Sequence, residues 1–311
     1  MQTNVIPLID AYRTCELLTV GRDGTPIAWP TVSVRRPDGT ILISTSIGFP
    51  QKAINVRRDP RVAVLFSDPT GSRLTAPDQV LVQGRATCPD EIVTDPGPWA
   101  DLWLRVRERQ PSSGYHRIPG MRGLMDWYYM RLLITVTPER ITTSPAWRPQ
   151  PPVSLPAVPA GDTGPFSKAV RRLADFPSAV LCGYDESGAP TMRRTRTKPV
   201  TDGFVLDGGD ALKPGRASLL WHRHDENLAD LRAFVVTGDL TRATDGCRLT
   251  PTHYVSTADR MGPLAMARMI SGLRRSAARY LNRRGLSRPS IPWRDYAALE
   301  RRSHPTPSRP A

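Results

Sequence analysis

The sequence predicts a mainly β chain with α-helices, built as two tandem antiparallel barrels followed by a C-terminal helix. Three observations carry this. A length of 311 residues, with 39% hydrophobic and 23% charged side chains, suits a folded chain of two ordinary domains. The segments CELLTVGRDGTPIAWPTVSVRRPDGTILIST and AVLCGYDESGAPTMRRTRTKPVTDGFVLDGG share one frame, which marks an internal repeat. In both copies short apolar runs are separated by Gly and Asp-Gly turns, the pattern of an antiparallel meander.

Taken in order, the first frame matches Leu17 to Leu181, Gly24 to Gly188, Pro26 to Pro190, Asp38 to Asp202, Gly39 to Gly203 and Leu42 to Leu206. A second frame matches Pro60 to Pro214, Ala63 to Ala217, Leu65 to Leu219, Gly84 to Gly238 and Thr87 to Thr241. Between the two frames copy one has STSIGFPQKAINVRRD where copy two has only DGGDALK. A final strand in each copy is expected from Val136 to Pro138 and from Leu249 to Pro251, and copy one adds a helical pattern around Trp99 to Arg109. The proline- and glycine-rich stretch from Pro145 to Thr163 reads as a connector. These signals divide the chain into a first barrel (1–147), a linker (148–164), a degenerate second barrel (165–258), a helical segment (259–300) and a disordered tail (301–311). The run from Gly262 to Arg284 spaces Leu264, Ile270, Leu273, Ala277 and Leu281 as an amphipathic helix, expected to pack on the second barrel.

Charge and cysteine content narrow the function classes. The net charge of +14 comes from arginines spread along the chain, without a helix-turn-helix, zinc-finger or RNA-binding signature, so no nucleic-acid partner is expected. No apolar run reaches membrane-spanning length, and the N-terminus MQTNVIPLIDAYRTCELL has no signal-type core, so a cytoplasmic protein with no membrane partner is expected. Cys15, Cys88, Cys182 and Cys247 are too scattered for a zinc site. His222 and His224 share a strand face but lack further ligands in the sequence, so no metal is assigned.

The chemistry concentrates in the segment that copy two lacks. A strand ending Ser44-Thr45-Ser46 leads through Gly48 and Pro50 into a short helix from Gln51 to Arg58, which stops before Pro60. Hydroxyls, free backbone N–H groups and a lysine in the first helical turn suit a dianionic phosphate, and Lys52 is the leading candidate. Lysine occurs elsewhere only at Lys168, Lys198 and Lys213, so its presence here is the more informative.

The blocks TVGRDGTP, ILISTS, KAINVRRDPRVAVLF and VLVQGRA together resemble the pyridoxamine-5′-phosphate-oxidase-like split β-barrels, and among them the flavin/deazaflavin oxidoreductases. The resemblance covers residues 8 to 147 and extends to the second half only as a degenerate copy. It implies one cofactor, F420 or FMN with a lean to F420, held between two fused barrels that form an intrachain pseudo-dimer. It also implies that Thr45, Ser46 and Lys52 grip the phosphate, with Asn55, Arg57 and Arg58 as further candidates. The chemistry implied is hydride transfer to or from a small-molecule substrate. No catalytic residue is assigned, and Trp29, Tyr128 and Tyr129 are candidates only for lining. A dedicated pyridoxamine-phosphate oxidase is disfavoured, because no arginine and histidine pair for a substrate phosphate stands near the end of copy one.

Copy two would supply the opposite wall. Arg194, Arg196 and Lys198 fall on one face if the strand around them is regular, and they complete the candidate set. The same strand also reads as a solvated basic edge. A rival to the enzyme reading is a non-catalytic protein that binds or sequesters a cofactor, haem or another small ligand. A fused pair already buries its own interface, so a monomer is expected, with further association left open.

Overall fold

In the computed structural model the described residues are 5–110, 113–148, 154–228, 230–243, 246–258 and 263–303. A short helix α1 (Val5–Ala11) precedes strands β1 (Cys15–Val20), β2 (Pro26–Thr31), β3 (Ser33–Arg35) and β4 (Ile41–Ser46). Helix α2 (Gln51–Arg58) then leads to β5 (Arg61–Phe66), β6 (Gln79–Thr87), α3 (Ala100–Arg109), α4 (Met121–Tyr129) and β7 (Arg131–Ser144). The second copy comprises α5 (Pro165–Val170), β8 (Ala179–Tyr184), β9 (Pro190–Thr195), β10 (Thr197–Val200), β11 (Gly203–Leu206), β12 (Gly215–Arg223), β13 (Arg232–Ala243) and β14 (Gly246–Ala258). Helices α6 (Pro263–Asn282) and α7 (Trp293–Ser303) follow.

The strands form two seven-stranded antiparallel sheets, ordered β2-β1-β5-β6-β7-β4-β3 and β10-β11-β14-β13-β12-β8-β9. Read from the opposite end, the second order repeats the first strand for strand, so the duplication is one of topology as well as sequence. Both copies also share a β-bulge. The ladder shifts between Gln83 and Gly84 in one copy and between Thr237 and Gly238 in the other. At each bulge the backbone approaches too closely for a side chain. A Cβ on Gly84 would lie 2.1 Å from the Thr137 carbonyl oxygen, and one on Gly238 2.0 Å from that of Thr250. Gly84→Ala is therefore expected to cost about 3 kcal/mol, as overpacking against backbone does, read as a lowered urea midpoint with unchanged slope.

The ladders also correct several of the matched identities. The registers place Leu206 opposite Thr197, as Ile43 is opposite Ser33, and Leu219 opposite Leu181, as Val64 is opposite Leu17. Leu42, Ala63 and Leu65 are thus one residue out of frame with Leu206, Ala217 and Leu219. A slip of one residue turns a side chain to the other face of a strand. Accordingly, Leu206 and Leu219 lie in the core of the second barrel, while Leu42 packs against the α3 layer and Leu65 against the other barrel.

Strand β1 is buried along its whole length. An antiparallel sheet commonly leaves one face in water, but here the outer face meets the second copy. Leu17 enters the first core, whereas Leu18, Ala63 and Leu65 join Val180, Cys182, Leu220 and Val235 in a cluster between the barrels. Polar contacts across this boundary fall on equivalent prolines of the two copies. Ser218 Oγ donates to the Pro26 carbonyl at 2.6 Å, and Gln83 Nε2 to the carbonyl of the equivalent Pro190 at 2.9 Å.

Helix α6 departs from its expected place. Leu273, Ala277, Tyr280 and Leu281 pack into the core of the first barrel, not the second. Tyr280 Oη accepts a hydrogen bond from Arg57 at 2.9 Å, and Arg284 pairs with Asp90. The amphipathic pattern identified a buried stripe but could not say which surface covers it. Helix α7 returns to the same barrel, placing Tyr296 among Trp99, Trp103 and Tyr129. It continues to Ser303, into the stretch expected as tail; positions 304–311 of that expectation lie outside the described residues, as do 149–153 of the expected linker.

Candidate anion and cofactor site

The turn that hands β4 to α2 is built from its own hydroxyls. Thr45 Oγ1 donates to the Phe49 carbonyl at 2.8 Å, and Ser46 Oγ accepts from the Gly48 N–H at 3.2 Å. Gly48 is required by close approach, since a Cβ there would lie 2.6 Å from the Trp127 ring on α4. This tight turn brings the first turn of α2, and with it Lys52, beside the end of β4.

The β4–β7 ladder pairs Ser46 with Arg131. Arg131 is buried, with Nε and Nη2 donating to Ser44 Oγ at 3.2 and 2.7 Å and Nη1 donating to the Tyr128 carbonyl at 3.0 Å. Its guanidinium lies 5.2 Å from the Trp99 ring centroid and 5.1 Å from that of Tyr128, so it is clamped between two aromatic faces. Lys52 and Arg131 line one cavity of about 180 Å³ together with Ser44, Thr45, Ser46 and Tyr128. Among the described residues no aspartate or glutamate lines it. Burial, and then the neighbouring Arg131, push the Lys52 amine down to about 8. Burial likewise lowers Arg131 from its ordinary value. Two partly desolvated cations without a carboxylate form a site that an anion would neutralise.

Of the residues nominated from sequence, Thr45, Ser46 and Lys52 share this cavity, while the others do not line it. Asn55 Nδ2 donates to Thr19 Oγ1 at 3.0 Å, Arg57 donates to the Cys88 carbonyl at 2.9 Å, and Arg58 to the Val20 carbonyl at 2.5 Å. Strand regularity breaks at Arg196, between β9 and β10, so Arg194, Arg196 and Lys198 do not form one wall. Arg194 is buried at the barrel boundary, and Lys198 is exposed. The cavity wall from copy two is instead apolar, made by Leu228 and Leu231. Tyr128 lines the cavity, Tyr129 is buried in the aromatic cluster beside α7, and Trp29 packs against the inter-barrel cluster. Sequence reasoning missed Arg131 and Ser44. A single arginine opening the apolar run LLITV was the available signal, and only the strand register sets it beside Ser46.

A second polar cluster lies at the barrel boundary. Glu16 Oε1 accepts from Ser67 Oγ at 3.0 Å, Arg194 Nη2 at 2.8 Å and His222 Nε2 at 2.7 Å. Nearby, His224 Nε2 lies 3.0 Å from the hydroxyl of Thr14, a residue that also lines the cavity. Burial disfavours the Asp68 carboxylate, but Arg194, His222 and His224 outweigh it and hold that carboxyl well below the usual range. Among the described residues no group of three or more His, Cys, Asp or Glu is placed to hold a metal ion.

A family model described as "Pyridoxamine 5'-phosphate oxidase" matches residues 2–143, the extent of the first sheet with its helices. The first barrel is a pyridoxamine-5′-phosphate-oxidase-like split barrel. The second repeats its strand order, so the chain is a tandem of this superfamily's fold. A search of curated proteins found no match. Among similar solved structures is a conserved hypothetical protein from Mycobacterium tuberculosis, 27% identical, covering 46% of this chain and 84% of its own with a TM-score of 0.34. An F420 reductase is 22% identical over 44% of this chain and 94% of its own, TM-score 0.32. The haem storage protein HutZ from Vibrio cholerae is 15% identical over 45% of this chain and 92% of its own, TM-score 0.32. No helix among the described residues of this tandem split barrel is long and apolar enough to cross a membrane.

Proposed function

We propose that the chain binds one phosphate-bearing redox cofactor, F420 or FMN, with its phosphate between Lys52 and Arg131, and acts as an oxidoreductase on a small molecule. The observation that carries this is the pairing of those two cations in a cavity that, among the described residues, no carboxylate lines. The superfamily of the first barrel supplies the class of ligand. Ser44 holds the guanidinium in place, the Thr45 and Ser46 hydroxyls shape the turn that presents Lys52, and Leu228 and Leu231 exclude water from the copy-two side. When bound, the ring of such a cofactor supplies the hydride transfer. Copy two has no counterpart of α2, so one site per chain and a monomeric pseudo-dimer are proposed. The cationic site accepts either phosphate, and the lean to F420 rests on the sequence from Lys52 to Arg61.

One observation favours a second, non-catalytic reading. The cavity of about 180 Å³ is smaller than the roughly 300–1,000 Å³ that encloses a drug-sized ligand. It would hold a phosphate and a short stem, leaving a tricyclic ring at the mouth. A protein that binds a small anion or sequesters a cofactor without turnover fits that size.

Absorption and fluorescence titration with FMN and with F420 tests both readings. Lys52→Ala is expected to weaken the bound cofactor by about 1–3 kcal/mol, the range of a charge-assisted hydrogen bond. Turnover with a hydride donor separates the enzyme from the sequestering protein. Saturable binding that ignores Lys52→Ala would sink the site, and no binding of either cofactor would sink the oxidoreductase reading.

A further inference from the structure

The same cavity supports a second chemistry that needs no bound ring. Among the described residues the Lys52 ammonium has no hydrogen-bond or ion-pair partner, although it lines a cavity beside a buried arginine. Arg131 cannot swing away, because Ser44, the Tyr128 carbonyl and two aromatic faces hold its guanidinium. An amine and a fixed guanidinium therefore face one small volume, lined otherwise by hydroxyls, the Gln110 amide and apolar groups. We propose that Lys52 is an imine-forming nucleophile toward small carbonyl compounds that carry an anionic group, of which 2-oxo acids are the simplest class, and that Arg131 holds the anionic group.

The step balances without an oxidant or reductant. The neutral amine nitrogen attacks the carbonyl carbon, a C–N bond forms, and the carbonyl π electrons move to oxygen. A proton passes from nitrogen to that oxygen, giving a carbinolamine. Loss of the oxygen as water then leaves the C=N bond. Amine and carbonyl give imine and water.

Two conditions favour this at Lys52. Desolvation and an adjacent cation are what make a lysine amine nucleophilic near neutral pH, and both act here, in that order of size. With its amine pushed down to about 8, on the order of a tenth of it is neutral at pH 7, against less than about a thousandth for an unperturbed lysine. The cavity of about 180 Å³ also suits a short oxo acid without any rearrangement.

The test uses the full chain. The protein is incubated with pyruvate and cyanoborohydride at pH 7.5, digested, and mapped by mass spectrometry. With only Lys52, Lys168, Lys198 and Lys213 in the chain, each adduct has an unambiguous address. The expected result is labelling of Lys52 by roughly tenfold or more over each other lysine. Arg131→Gln should reduce labelling by pyruvate more than labelling by acetone, which lacks the carboxylate. Even labelling of the four lysines, or an unlabelled Lys52, overturns the proposal, and equal losses for both probes overturn the role of Arg131. Cofactor binding with an unlabelled Lys52 sinks the imine chemistry alone. Selective labelling without binding of FMN or F420 sinks the flavin reading alone.

Discussion

Glu16→Ala is expected to destabilise the chain by about 3–5 kcal/mol, the cost of removing one partner from a buried ion pair. Glu16 lies at the barrel boundary with 0% exposure. Its Oε1 accepts from Arg194 of β9, His222 of β12 and Ser67 after β5, so one atom joins both copies. Removal would leave the Arg194 guanidinium buried without its ion-pair partner, beside the apolar cluster between the barrels. The loss should appear in urea unfolding. The double change Glu16→Leu with Arg194→Met removes both charges, and it should cost much less than the sum of the two single changes. A loss below about 1 kcal/mol for Glu16→Ala, the level of a surface pair, would show that this cluster is not a joint between the copies.

Sulfate at pH 7 is expected to raise the melting temperature of the ligand-free chain, and the gain should fade by pH 9.5. Lys52 carries the sign. Its folded value, about 8, lies below the ordinary 10.5, so between those two values the unfolded chain binds more protons. The contribution of this group to stability is therefore complete above 10.5 and is lost as pH falls through 8, where the ammonium must exist beside Arg131. A bound dianion reverses that penalty, so its benefit is largest where Lys52 is charged. At a concentration one hundred times its dissociation constant, such a ligand adds about 2.7 kcal/mol. Sulfate does not titrate over this range, which leaves Lys52 as the changing group. Thermal scans at pH 7 and 9.5, on wild type and Lys52→Ala, check this. An equal gain at both pH values, or in the variant, would remove Lys52 from the anion site.

Much of the architecture was legible in the residues because turns and strands leave local marks. Gly24 and Gly39 both have positive φ, as the tight turns between the first strands require. The helix read from Gln51 to Arg58 has those same bounds in the structure. The loss of the α2 segment from copy two could be seen by comparing two stretches of sequence, and it singled out Lys52 before any contact was known.

Other features are not local. Identity between two residues carries no record of which face each occupies, and the ladders moved several of the matched pairs by one residue. The helical pattern from Gly262 to Arg284 specified an apolar stripe, whereas its choice of the first barrel depends on Tyr280 meeting Arg57, far away in the chain. Arg194 reads from the sequence as part of a ligand wall or of a solvated edge, and is a buried joint because Glu16 faces it from the other copy.

By itself, then, the sequence determined the duplicated strand order, the turn chemistry and the position of one uncommon lysine, all of which rest on spacing along the chain. Tertiary structure alone decided what stands opposite that lysine. Arg131 reaches the cavity only through the pairing of β7 with β4, and Leu228 and Leu231 only through the packing of two barrels. The physical reason is that an anion site is a convergence of charges in a partly dry space. Convergence is a property of distances across the fold, which spacing along a chain does not contain.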